Sequence, residues 1–292
     1  MGKDIAEMSD AARAVFTRAD DILGRKLSEV CFEGPADVLN ATDTSQPAIF
    51  VTSVAVWAAM KERGITADIQ PAATAGLSLG EYTALHMAGW IGFEDALRLV
   101  AERGRLMQAA AESSSGSMVS IMGVDADVVQ KICDEAAEGE ELAPANFNCP
   151  GQIVISGAKT ACDRSIAIAE KHDAKAIPLV VAGAFHSALM NPAVEGLKSA
   201  LAAVAIKPTD LGVVSNVSAD YHAGPEEVRQ LLREQVAKPI RWQASIERLI
   251  QDGFDRFVEV GPGRVLTGLL RKINRAVKGE NYSTAASFAK QG

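Results

Sequence analysis

Residues 117–181 most narrow what this chain can fold into. "SMVSIMGV" (117–124) reads as a strand and "DADVVQKICDEAAEG" (125–139) as an amphipathic helix. "LAPANFN" and "QIVISG" read as two strands joined at Pro150-Gly151. "KTACDRSIAIAEKHDA" (159–174) is helical, and "AIPLVV" (176–181) is a fourth strand. Strand, helix, strand, strand, helix, strand is the order of the split βαβ, or ferredoxin-like, unit. The flanking chain has another rhythm. Helical spacing covers 3–23, 46–63, 79–87, 93–112, 191–205, 225–236, 242–251 and 264–277. Short strands fall in "PAATAG" and at 212–218 and 256–260. Strands alternating with helices imply a parallel sheet covered on both faces. The expectation is an α/β core over 1–114 and 184–292, interrupted by a ferredoxin-like subdomain over 115–183.

The chemistry gathers at "TAGLSLGEYTALHMAG" (74–89), where Ser78 lies between Gly76 and Gly80 at a strand-to-helix junction. G-x-S-x-G in that setting is a nucleophile elbow: the turn exposes the serine oxygen, and the helix beginning there aims backbone N–H groups at an oxyanion. The five-residue pattern is short, and a glycine-rich turn with an incidental serine has the same letters. A serine also needs a base. Of four histidines, His86 lies two turns into the helix after Ser78, His172 at a polar helix end and His222 in the turn-like "ADYHAGP". These three read as structural or surface residues. His186, in "AGAFHSALMNP", sits between a strand and a helix, where open α/β sheets place their chemistry.

Composition closes off other classes. The chain is 48% hydrophobic and 23% charged, with mean hydropathy +0.08, as in a soluble globular protein. No apolar run approaches the roughly 20 residues that span a bilayer. "MGKDIAEMSDAARAVF" carries acidic residues and no compact apolar core, so it does not read as a signal peptide, and a cytoplasmic protein is expected. Cys31, Cys133, Cys149 and Cys162 have neither CxxC nor metal spacing and read as ordinary thiols; no metal or cofactor is expected. A formal charge of −8 argues against a nucleic-acid partner.

"GLSLGEYTALHMAGWIGFEDALRLVAERGRLMQ", "NFNCPGQIVISG", "AGAFHSALM", "VVSNVSA" and "VEVGPGRVLTGLLRKI" occur in this order. Together they give a chain that resembles the malonyl-CoA:acyl carrier protein transacylases of fatty acid synthesis from about Ile5 to Ile273. The resemblance implies an α/β-hydrolase-like core with a ferredoxin-like insert. It implies a ping-pong reaction in which a serine takes malonyl from malonyl-CoA and passes it to the phosphopantetheine thiol of acyl carrier protein. No cofactor is implied, and a monomer is the expected state. Carried over to this sequence, Ser78 is the nucleophile and His186 the base. A backbone carbonyl in "KPIRW", assigned to Arg241, orients the base in place of a carboxylate. The Leu79 N–H serves the oxyanion hole, and Arg103 pairs with the malonyl carboxylate through its planar fork. Phe185 holds the position where relatives taking malonyl carry Phe and those taking methylmalonyl often carry Ser.

Two departures stand out. Leu77 occupies a place where the family most often has histidine. A strand and a "PGQGxQ" loop precede the first helix in relatives, and nothing here matches them; on that comparison a second oxyanion donor is not supplied by this sequence. Two rival readings follow: a serine hydrolase with water as acceptor, and a non-catalytic remnant that still binds carrier or coenzyme A. For the carrier, Arg264, Arg271, Lys272, Arg275 and Lys278 form a run without an acidic residue between them. Such a run either complements a helix C-terminus or docks an acidic partner.

Overall fold

The structure, a computed structural model, describes residues 1–289 and is of the α/β type, with three β-sheets among those residues. The chain forms two compact units. One comprises Met1–Gly104, Val204–Val214 and the chain from Asp252 onward; the other comprises Arg105–Ala203 and Ser215–Gln251. No helix among the described residues is long and apolar enough to cross a membrane.

The first unit is built on the helix Thr42–Glu62, in which Ala48, Phe50, Val51, Ala55, Val56, Ala59 and Met60 are fully buried. A helix apolar on all sides belongs in a core. It begins four residues ahead of the expected start and carries Pro47 inside it. Proline cannot donate to the carbonyl four residues back. That carbonyl, on Asp43, instead accepts from Arg25 Nη2 at 3.2 Å. The periodic stretch 3–23 is two helices, Lys3–Met8 and Asp10–Leu23, broken at Ser9. The Ser9 hydroxyl accepts from the Ala12 N–H at 3.1 Å, so an N-cap overrides a continuous apolar stripe.

The expected single parallel sheet is two small ones among the described residues. Ala73–Thr74 pairs with Gly212–Val213, and Arg256–Val260 pairs with Lys278–Tyr282. The strand foreseen over 212–218 stops early because serine-anchored turns follow. Ser215 Oγ accepts from Val217 N, Ser218 Oγ accepts from Asp220 N, and Ala219 has φ 57°. The helix foreseen over 264–277 ends at Ile273, leaving room for Lys278–Tyr282. In that strand the buried Glu280 accepts from Arg256 at 2.8 and 3.1 Å and pairs with Lys278 at 2.8 Å. These hydrogen bonds, Arg256's first, hold its carboxyl down to about 2.

The second unit carries a four-stranded antiparallel sheet. Its strands Leu142–Cys149, Gln152–Ala158, Gly116–Met122 and Lys175–Pro178 lie side by side in that order. Period-two alternation sorts the faces. Val119, Ile121, Ile153 and Ile155 pack in one cluster with Val129, Ile132, Cys133, Ala161 and Cys162 of the helices Ala126–Ala137 and Lys159–Lys171. Met118, Ala145 and Val154 form another cluster, against which Leu179 and Phe185 pack.

This compact unit is wider than the 115–183 division because residues 215–251 are bonded to the same sheet. Phe147 N donates to Ile240 O, and Ile240 N to Ala145 O, both at 2.8 Å. A single bridging residue beside Pro239 leaves no strand pattern in sequence. The sheet also fixes the chain that leads to His186. A Cβ on Gly116 would lie 2.8 Å from the Ala184 backbone nitrogen, so only glycine lets the two backbones approach this closely.

Candidate active site

Ser78 stands between the strand Ala73–Thr74 and the helix Leu79–Met87, with φ 52° and ψ −106°. A non-glycine residue there is strained by about 1–3 kcal/mol, a feature that gathers at functional sites. The glycines are unequal. A Cβ on Gly76 would fall 2.1 Å from the carbonyl carbon and oxygen of Gly80, whereas a Cβ on Gly80 would meet nothing within 4 Å. Space therefore demands glycine at the first position alone. Thr74 Oγ1 donates to Ala84 O at 3.1 Å and ties the strand to the helix that follows the turn. Leu79 is the first helical residue, so its N–H is among those that no intrahelical carbonyl reaches.

Arg103 lies on the helix Phe93–Glu112 and is 1% exposed. Its Nη2 donates to Ser78 Oγ at 3.0 Å and its Nη1 to Gln46 Oε1 at 2.5 Å. Its Cζ lies 5.2 Å from the Tyr82 ring centroid. Burial pulls its pKa down, while Tyr82 and, more weakly, Glu81 push it up. A guanidinium stays charged in such a setting. The approach of the helices is set at Gly104, where a Cβ would lie 2.8 Å from Thr42 O. Arg103 is thus buried against the serine turn, while its neighbour Arg105 is exposed. Gln46 belongs to no sequence motif. Its one signal is a long amide ahead of an apolar helical run.

His186 belongs to the second unit, with φ 59° and 6% exposure. Its Nδ1 lies 2.7 Å from Gln235 O, and its backbone N–H donates to Val236 O at 3.1 Å. A carbonyl only accepts, so Nδ1 carries the hydrogen and the lone pair of the neutral ring is on Nε2. This corrects the assignment to Arg241: the carbonyl against the ring is six residues earlier. Gln235 ends the helix Pro225–Gln235, and the last carbonyls of a helix have no intrahelical donor. Arg241 is exposed, its backbone N–H donating to Asn216 O at 2.8 Å and its Nη1 to Ser218 O at 3.1 Å. Phe185 is half-buried on Met118, Ala145 and Val154. The structure therefore brings Arg103 to Ser78 within one unit and a carbonyl to His186 within the other.

The remaining histidines are engaged elsewhere. His86 Nδ1 meets Ile91 O at 3.0 Å, its ring lies against Phe50 and Phe93, and burial lowers its pKa. His172 Nε2 lies 2.9 Å from Glu135, and His222 is buried.

Residues 1–291 match the model of the acyl transferase domain family. A malonyl CoA-acyl carrier protein transacylase of Bacillus subtilis (strain 168) is 45% identical over 280 residues, which cover 95% of this chain and 87% of that one. The solved acyl-carrier-protein-S-malonyltransferase from Bartonella henselae superimposes with a TM-score of 0.93 at 41% identity, covering 99% of this chain and 92% of its own. A type II PKS acyl-carrier protein in complex with its malonyl-transacylase gives 0.93 at 37% identity, covering 98% and 92%.

Proposed function

This chain belongs to the acyl transferase domain family, and on that footing we propose that it transfers malonyl from malonyl-CoA to the phosphopantetheine thiol of acyl carrier protein, in fatty acid synthesis. It is an acyltransferase, and its partners are malonyl-CoA and the carrier. We assign it an α/β-hydrolase-like core with a ferredoxin-like insert over 115–183, a reading supported by the strand order of the four-stranded sheet. A cytoplasmic setting goes with that activity.

Ser78 is the nucleophile in this reading, and His186 the base that takes its proton through Nε2. The serine oxygen attacks the thioester carbonyl, and the Leu79 N–H donates to the oxyanion that forms. The carbon–sulfur bond breaks as the imidazolium returns its proton to the coenzyme A sulfur. The carrier thiol then loses its proton to His186 and attacks the malonyl ester, and the proton ends on Ser78. The observation that carries this reading is the buried Arg103 guanidinium with Nη2 3.0 Å from Ser78 Oγ. A hydrolase acting on uncharged acyl groups has no use for a buried cation there, whereas malonyl presents a carboxylate to it.

The test is acyl choice. Arg103→Ala should lower kcat/KM for malonyl-CoA by at least about 100-fold and leave acetyl-CoA equal or improved, because acetyl offers the guanidinium no partner. Phe185→Ser should relax selection against methylmalonyl-CoA by roughly 10-fold, the worth of one methyl, without helping acetyl. Equal loss of all three thioesters in Arg103→Ala would make the arginine structural. Acyl-enzyme lifetime in water, compared with turnover by carrier thiol, separates transferase from hydrolase.

The carrier docks, in our reading, on Arg271 and Lys272, both exposed in the last turn of the helix Val265–Ile273. Lys278 is drawn off by Glu280 at 2.8 Å. Reversing Arg271 and Lys272 to Glu should raise the KM for carrier protein about 10-fold, most at low salt, and spare acylation by malonyl-CoA. Stopped-flow acylation and steady-state transfer report the two halves separately; equal loss in both argues for a role in folding instead.

A further inference from the structure

We propose that Gln46 is a positioning residue that sets acyl choice by holding Arg103, an inference that rests on the assignment of Arg103 to the malonyl carboxylate. A guanidinium is planar, so fixing one arm fixes the direction of the other. Nη1 is fixed on Gln46 Oε1 at 2.5 Å, and Nη2 then points at Ser78 Oγ, 3.0 Å away. Gln46 is itself held: it is 7% exposed, on the largely buried helix Thr42–Glu62 of the first unit. The two helices meet closely where Gly104 faces Thr42 O, four residues before Gln46. The amide side chain therefore has a backbone that cannot drift.

The choice of an amide matters chemically. A glutamine oxygen accepts the guanidinium hydrogen and leaves its charge in place. A glutamate of the same length would accept the same hydrogen and cancel the charge. Glu81, fully buried nearby, is the weakest of the groups that favour Arg103's charged form. Arg103 thus keeps an attraction for a carboxylate delivered by the acyl group, in a place where charge pairs are stronger than in water.

The experiment compares the full-length wild type with Gln46→Leu, Gln46→Glu and Arg103→Ala, using malonyl-CoA and acetyl-CoA as donors and carrier protein as acceptor. Melting temperature is recorded for each variant. Gln46→Leu removes the acceptor, and the expected result is a 10- to 100-fold loss of kcat/KM for malonyl, carried mainly by KM, with acetyl within about threefold of wild type. Gln46→Glu keeps the acceptor and should also lose malonyl preference, because its charge occupies the arginine. Equal loss of malonyl and acetyl in Gln46→Leu, or full malonyl preference in Gln46→Glu, overturns the proposal. Should Gln46→Leu fail to fold, Gln46→Glu decides alone. If Arg103→Ala lowers both donors alike, the carboxylate assignment itself has failed. If Arg103→Ala is selective and the Gln46 variants are not, only the role of Gln46 falls.

Discussion

Ser78→Ala is expected to abolish the acyl-enzyme altogether. The ester needs a side chain that can hold it, and other candidates are poorly placed. All four cysteines are buried, and none is in a disulfide. Burial pushes the thiols of Cys31 and Cys162 up to about 11 and that of Cys133 to about 12. A thiol so raised is almost wholly protonated at neutral pH, and the thiolate is the reactive form. Label from radioactive malonyl-CoA, counted on denatured protein, should fall to background in the variant. Intact mass should likewise stay at that of the free chain. Alanine keeps the Cβ, so the loss is chemical and not a consequence of refolding the turn. A Ser78→Ala chain that still carried label would end the assignment of the nucleophile.

His186→Ala should slow acylation by about 10²–10⁴, the usual contribution of a general base, and leave a residue of activity. That residue comes from donors at the start of the helix Leu79–Met87, which need no base. Other histidines offer no substitute, since His86 is committed to Ile91 O and His172 to Glu135. The variant also leaves Gln235 O without its ring partner, a cost on the order of 1–3 kcal/mol that should appear as a lower melting temperature. Rates are therefore to be measured by single-turnover acylation at a temperature where the variant is folded. A loss of less than tenfold would mean that another group takes the serine's proton.

Much of this was legible in sequence, for physical reasons. Three strands of the four-stranded sheet, Gly116–Met122, Leu142–Cys149 and Gln152–Ala158, run for seven or eight residues between turn residues, so each announces itself; the fourth, expected over 176–181, is only the short and mostly exposed Lys175–Pro178. The Ser78 turn is legible because Gly76 is forced by a backbone contact that no other residue permits. What escaped was of two kinds. Carbonyls carry no side-chain signature, so the resemblance points to Arg241 for the partner of His186, whereas the end of a helix supplies it at Gln235. Elements stabilised by polar bonds lack an apolar pattern: Lys278–Tyr282 pairs through a buried Glu280, and Ser9 splits a helix by its hydroxyl. Gln46 belongs with these, since its neighbours in the helix are chosen for burial and it for a hydrogen bond.

Among the described residues five positions other than glycine have positive φ, and Ser78 and His186 are two of them. The side chains on which the proposed chemistry depends therefore sit where the backbone favours having none. Glycine at either position would relieve the strain and end the reaction. Backbone strain and activity are thus opposed at these two codons, and purifying selection has to hold side chains there against that strain. The same side chains repay part of it, since Ser78 Oγ accepts from the buried Arg103 and the His186 ring meets Gln235 O. A duplicated copy released from its metabolic duty would keep those bonds but no longer gain from the strain, so what holds a serine and a histidine at 78 and 186 against other residues is the reaction more than the fold.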